Sequence, residues 1–264
     1  MIRRLWGNLR AVGAAFEMTL RQNVFDGFIL FTVLVQPLVI ALLGLWILQD
    51  KGGSYAIFVV IGSGLTGLWS SLLFISGNGI TWERWTGTLE VLVAAPTSLS
   101  AVVFGKTLAS VLQSLLSMIV AYILAAWLFG LSLSIALPLP FAFSLVMTMV
   151  SFVAFGMIIA PIFVANPGIQ GWQNAMEFPV YILAGFLFPI ALLPGWTTPV
   201  SYVLAPYWAA RALHDAAEGS SLMGDLWLSW GMMLLFAFLY FLIARFLFRV
   251  VSRKARVDGT LGLE

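Results

Sequence analysis

Charge is what this chain has least of. Only 9% of its 264 residues are Asp, Glu, Lys or Arg, where a soluble domain carries about a quarter. Hydrophobic residues make up 61% and mean hydropathy is +1.02. Such a chain cannot cover a water-facing surface, so lipid is the solvent for most of it. Cysteine is absent, which excludes a disulfide framework and a thiolate metal site. The one histidine, His214, cannot build a multi-histidine metal centre or a Ser-His-Asp constellation. A nucleotide site is missing too. "FGKT" at 104–107 ends like a phosphate-binding loop, but the first glycine of G-x-x-x-x-G-K-[ST] is replaced by Ser100 and the segment runs into an apolar helix. Carboxylates near the apolar runs are few. Asp26 stands at the start of the first and Glu177 at the start of the fifth, neither with a second acid nearby. Intramembrane charge marks ion and proton pathways, and its scarcity argues against an ion-coupled carrier and a charged pore. Any energy for uphill work must come from outside this chain.

What is present is a series of apolar runs near the 20 residues a bilayer crossing needs. Six are predicted, at 28–48, 55–77, 102–129, 141–164, 178–193 and 226–248; the fifth is short and holds Pro179, Gly185 and Pro189. Six crossings place both termini and the second-to-third and fourth-to-fifth loops on one side. That side collects all 13 Lys and Arg except Lys51 and Arg211, so the positive-inside rule makes it cytoplasmic. Residues 1–24 read as an amphipathic helix: Leu5, Leu9, Val12, Phe16 and Leu20 recur at three and four, with Arg3, Arg10, Glu17 and Arg21 on other faces. It is suited to lying in the membrane interface. Arg3 and Arg4 are not followed by a short apolar core and a small-x-small site, so no secretory leader is expected.

Two loops are unusual. Residues 82–95, "WERWTGTLEVLVAA", read as a short cytoplasmic helix with Glu83, Arg84 and Glu90 toward water and Pro96 as its stop. Such a helix is marginal alone and gains by docking on a partner. Residues 189–224 lie outside by topology yet are largely apolar. Pro189, Pro194, Pro199 and Pro206 cut the segment into short pieces, and Trp196, Tyr202, Tyr207 and Trp208 are headgroup-level aromatics. A pair of helices dipping back into the outer leaflet is expected.

The stretch "ERWTGTLEVLVAAPTSLSAVVFGKTLA" resembles the signature of ABC-2 type transporter permeases through Glu83, Arg84, Gly87, Thr88, Leu89, Glu90, Pro96, Gly105 and Lys106. "FPVYILAGFLFPIALLPGWTTPVSYVLAPYWAARAL" is similar to that family's fifth span and external helices, and the segment holding Gln36 and Pro37 to its first span. Trp85 and Thr86 depart from the usual charged or polar residue before the Gly-Thr pair. The resemblance implies a single all-α domain over 1–264. It would have six transmembrane helices, an interface helix (1–24), a coupling helix (82–95) and an external re-entrant segment (189–224). It implies a non-catalytic permease in a bacterial plasma membrane, forming a homodimer or pairing with a paralogue. Two separate ATPase subunits would bind ATP and Mg, and Glu83, Arg84, Gly87, Thr88, Leu89 and Glu90 would contact them.

Spans rich in Phe, Leu, Met, Ser and Thr suit export of a hydrophobic or amphipathic cargo such as a drug, antibiotic, peptide or lipid-like molecule. A lipid-linked polysaccharide or teichoic acid precursor is the alternative, and a secondary carrier or channel the alternative of another class. Gly27, Gly44, Ala184 and Gly185 are small enough to admit a second copy. Gly185 and Pro189 predict a sharp turn, with Leu187, Phe188 and Leu192 forming an apolar outer gate.

Overall fold

The computed structural model describes residues 2–47, 53–88, 91–92, 95, 97–130, 134–165, 167–219 and 223–258. Ten α-helical segments, with no strand among the described residues, are α1 (Ile2–Phe25), α2 (Gly27–Ile47), α3 (Gly53–Ser71), α4 (Gly79–Trp85), α5 (Leu99–Phe129), α6 (Pro138–Ala165), α7 (Gln173–Leu183), α8 (Thr198–Tyr202), α9 (Ala205–Glu218) and α10 (Met223–Asp258). Five helices are long and apolar enough to cross a membrane: α2, α3 with its extension into α4, α5, α6 and α10.

The fifth expected span takes another form. Its helix begins earlier, at Gln173, and stops after 11 residues at Leu183, about 17 Å of rise and short of a full crossing. Gly185 stops it there: its φ of +74° is open to glycine and strained for other residues. Pro189 and Pro194 then divide the chain into two single-turn 3-10 helices, Ile190–Leu192 and Gly195–Thr197.

α3 is the centre of the molecule. α2, α5, α7 and α9 all pack on it, and its small residues set how closely. A Cβ on Gly62 would overlap the carbonyl of Phe186, one on Gly64 would meet Met118 at 2.6 Å, and one on Gly67 would meet Pro37 at 2.8 Å. Two π-helical turns interrupt the spans. In α2 the turn Phe31–Val35 lies just before Pro37, whose missing N–H and bulky ring disfavour a regular α-turn. In the second, Leu72–Ser76 at the foot of α3, the Leu73 carbonyl accepts a hydrogen bond from Gln173 Nε2 at 3.1 Å.

The amphipathic helix α1 packs lengthwise on α5. Asn8 Oδ1 accepts from the Ser98 N–H at 3.1 Å, and a Cβ on Gly105 would overlap the Val12 carbonyl. Asn23 donates to Gln113 Oε1 at 2.8 Å. The buried face is Ala15, Thr19 and Asn23, spaced by four, while Trp6, Leu9 and Met18 are exposed. Of the apolar stripe, Leu9 is exposed and Val12, Phe16 and Leu20 are half-buried, so the fully buried contact is made by small and polar residues. Bulky side chains gain little by leaving lipid, whereas small ones let two backbones approach.

Gly44, Ala184 and Gly185, expected to admit a second copy, are used within the chain. A Cβ on Gly44 would meet Val59 at 2.8 Å, and Ala184 and Gly185 are buried.

α9 is buried along almost its whole length between α3, α6 and α10. Its C-terminal turn pairs with the α5–α6 connection through Ala136 N–H to Ala217 O (2.9 Å) and Leu137 N–H to Ala216 O (3.0 Å). Its first residue, Ala205, hydrogen-bonds Tyr240, well along α10 from Met223. α9 thus runs from the level of Tyr240 to the end where α5, α6 and α10 meet their connections. Arg211 fastens it there, 3.0 Å from Asp225 and 3.6 Å from Asp215.

Candidate functional site

Two constellations stand out, both hung on α3. The first lies at its foot. Glu83 in α4 reaches Lys106 in α5, with Oε1 and Nζ 2.5 Å apart and both side chains largely covered. Lys106 also donates to the Gly79 carbonyl at 3.0 Å. Thr88 closes the next turn: its hydroxyl donates to the Glu83 carboxylate and its N–H to the Glu83 carbonyl, 2.9 Å. This closure needs Gly87, whose φ is +71°. Glu83 is thus turned inward to Lys106, where the sequence reading had it toward water. Of the helix expected over 82–95, the first residues belong to α4, which continues α3 and ends at Trp85 before the Gly87 turn, and Val91 and Leu92 are helical beyond it. Beyond that turn, Leu92 N–H bonds Thr88 O (3.1 Å) and Ala95 N–H bonds Val91 O (3.0 Å). Leu89, Glu90 and Pro96 lie outside the described residues, as does the side chain of Arg84.

Each remaining motif residue at this junction has a physical task. Glu83 and Lys106 staple α4 to α5, Gly87 and Thr88 shape the turn, and Gly105 lets α1 approach α5. The exposed residues at the tip are Trp82, Trp85, Thr86, Gly87, Thr88 and Val91.

The second constellation climbs α3 along α7. Gln173 Nε2 donates to Leu73 O and to Asn78 Oδ1, each at 3.1 Å. One turn on, Glu177 is 2% exposed and its Oε1 accepts from the hydroxyls of Ser70 and Tyr181 (2.5 Å for the tyrosine), with Gln36 Nε2 at 3.4 Å. Tyr181 also reaches the Thr66 carbonyl at 3.3 Å. The antiparallel pairing ends where Phe186, fully buried, lays its carbonyl on Gly62. Glu177 therefore joins α2, α3 and α7 through one oxygen and has no cation beside it among the described residues. Such a carboxylate is held in the interior by hydrogen bonds alone.

Past Phe186 the chain emerges. Leu187 and Phe188 are only partly covered, Pro189 is exposed, and Leu192 is 76% exposed. Sequence reasoning named these four but missed Phe186, the residue that anchors the turn, and Gly62, which receives it. The signal for the latter was the run "IGSGLTG" at 61–67, where small residues crowd one helix. Glu177 was noticed only as a lone acid, because its donors come from two other helices.

Among the described residues no group of His, Asp and Glu is placed to hold a metal ion. No curated protein matches the chain. The ABC-2 type transporter family model matches residues 11–216, a stretch that contains both constellations and every helix from α2 to α8. The chain is a multi-pass membrane protein and belongs to the ABC-2 type transporter family, as a permease subunit of an ABC transporter.

Proposed function

We propose that this permease exports a hydrophobic or amphipathic cargo, working as a dimer with two separate ATPase subunits that bind ATP and Mg. The tip formed by α4, the Gly87 turn and the residues up to Val91 docks on the ATPase from the cytoplasmic side. The observation that carries this reading is the Glu83–Lys106 pair. It fixes an exposed, aromatic-rich tip rigidly to α5 while α4 continues directly from α3. A push on the tip is then passed to α3, and through the Glu177 oxygen to α2 and α7. Both termini share the cytoplasmic side with the tip, in keeping with the distribution of Lys and Arg. α8 and α9 then form a hairpin entering from the opposite face. Leu187 and Phe188 stand where α7 turns back, and an apolar closure there blocks water without charge. The cargo class follows from walls of Phe, Leu, Met, Ser and Thr.

The test uses the permease purified with the ABC ATPase encoded beside it. Breaking a covered charge pair by reversing one partner costs about 2–5 kcal/mol. Glu83→Lys should therefore leave the complex assembled but lower transport-linked ATPase activity at least about tenfold. The double variant Glu83→Lys/Lys106→Glu should recover most of it. Wild-type coupling in Glu83→Lys overturns the reading. At the opposite end, Phe188→Ala should raise ATPase activity in the absence of cargo at near-normal expression. Loss of the protein without such a rise would make Phe188 a packing residue.

A further inference from the structure

Beside the Glu83–Lys106 pair lies a cavity of about 260 Å³, enclosed by α1, the start of α2, the foot of α3, α4 and α5. Its walls include Gln22, Asp26, Phe28, Trp82, Trp85 and Lys106. Its volume is below the 300–1,000 Å³ usual for drug-sized ligands, and suits a small polar headgroup.

The charges in this cavity do not balance. Lys106 is matched by Glu83 at 2.5 Å. Asp26 is left over. Its Oδ1 caps α2 by accepting from Phe28 N–H (2.9 Å) and Ile29 N–H (3.2 Å), and it has no ion-pair partner among the described residues. Phe28, Phe74, Trp82 and Trp85 line the same cavity as this unpaired carboxylate. Trp82 and Trp85 stand with ring centroids 5.7 Å apart and planes at 57°, and Phe28 meets Phe74 edge-on at 5.9 Å. A carboxylate and aromatic rings lining one cavity are the groups that hold an ammonium, by charge and by cation–π attraction. Trp82 and Trp85 are more than half exposed, so the site is open to its surroundings. A second, open depression adjoins it, sharing Gln22 and Asp26 and adding Arg21. Arg21 pairs with Glu17 at 2.5 Å on the exposed side of α1, a contact that solvent weakens, and the remaining guanidinium N–H groups are donors that suit a phosphate.

We propose that the cavity binds the headgroup of a zwitterionic amine phospholipid, with the ammonium between Asp26 and the two tryptophans and the phosphate toward Arg21. Bound lipid fills the gap between α1, α2 and α4 and steadies α4. A tryptophan belt would place the rings at the interface without a cavity or a capping acid behind them. This inference does not depend on export or on the cargo, because binding is read without either.

The test is native mass spectrometry and thermal unfolding of the purified full-length protein in detergent. Dioleoyl phosphatidylethanolamine, dioleoyl phosphatidylglycerol and soluble tetramethylammonium are added separately at matched concentrations. Phosphatidylethanolamine should remain as a one-to-one adduct and raise the melting temperature; phosphatidylglycerol should do neither. Asp26→Asn keeps an N-cap of equal rank and removes only the charge, and Trp85→Ala removes an exposed ring. Each should weaken the adduct by roughly fivefold to tenfold at an unchanged lipid-free melting temperature. Equal retention of the two lipids, or wild-type retention in both variants, overturns the proposal. Protection by tetramethylammonium equal to that by phosphatidylethanolamine overturns the lipid as the source of the ammonium.

Discussion

The second and last spans are both long apolar helices, yet they occupy opposite environments. In the span Tyr55–Glu83, 83% of the most apolar window is buried inside the protein; in Met223–Val251 the share is 22%. The buried helix is the one with small and hydroxyl-bearing residues: Gly62, Gly64, Gly67, Ser63, Thr66, Ser70 and Ser71. The exposed one presents Trp227, Leu234, Leu235, Phe238, Leu242 and Phe246. In water the order would be reversed. In lipid there is no reward for hiding a leucine, so helices meet where backbones can come close and where hydroxyls find partners. Hydropathy locates a span; side-chain size decides which neighbour it has.

The sharpest way to break this comparison is to give α3 one methyl group. At Gly62 the added Cβ overlaps the Phe186 carbonyl, and backbone cannot swing aside as a flexible side chain does. Overpacking costs about 1–3 kcal/mol and sometimes more. Gly62→Ala should fall at or above the top of that range. A fall in melting temperature of many degrees, or loss of a monodisperse protein in detergent, is expected. A melting temperature within a degree of wild type would mean that the α7 turn does not rest on α3.

The next effect is smaller and polar. Glu177→Ala removes the acceptor that the hydroxyls of Ser70 and Tyr181 share, leaving them their bond to each other and the Thr66 carbonyl. With those partners retained, the loss should lie at the low end of the roughly 1–3 kcal/mol that an unpaired buried group costs. Glu177→Gln keeps a carbonyl oxygen in that place and should recover most of the loss. Thermal unfolding of the two variants side by side separates the hydrogen bonds from the charge. Equal loss in both would assign the effect to charge, and no loss in either would leave α7 held by Gln173 and Phe186.

The same contrast explains what was legible beforehand. Four of the five helices able to cross a membrane, α2, α5, α6 and α10, were readable from apolar run length, as was the fifth, α3, apart from its continuation into α4. The Gly185 and Pro189 positions correctly marked a sharp turn. Faces were not readable. On α1 the periodic Val12, Phe16 and Leu20 are only half-buried, and the fully buried positions are Ala15, Thr19 and Asn23. Gly44 and Ala184 looked like contacts for a second copy and serve contacts within the chain. Glu83 looked solvent-facing because its partner, Lys106, comes from another helix. A missing Cβ or a lone charge says that something comes near, and only the fold says what. The short length of α7 was half visible in its prolines and glycine, but its start at Gln173 was hidden by the polar residues that bond to α3.

The smallest effect is expected in α10, from the same change of one methyl. Gly231 lies on the exposed side of that helix, and a Cβ there would have nothing within 4 Å. Ala in place of Gly inside a helix is favourable by about 0.5–1 kcal/mol through reduced backbone freedom in the unfolded chain. Gly231→Ala should therefore leave the melting temperature unchanged or raise it slightly, the opposite sign from Gly62→Ala. The measurement also sharpens the role of α10. If α10 faces lipid in the working assembly, the variant behaves like wild type in oligomeric state as well, read by light scattering or cross-linking. If a second copy packs against α10 near Trp227 and Phe238, the added methyl falls in a helix–helix contact and the dimer weakens while the isolated chain does not. In that case the low burial of α10 reflects an absent neighbour, and the contrast with α3 would hold for the single chain but not for the assembly.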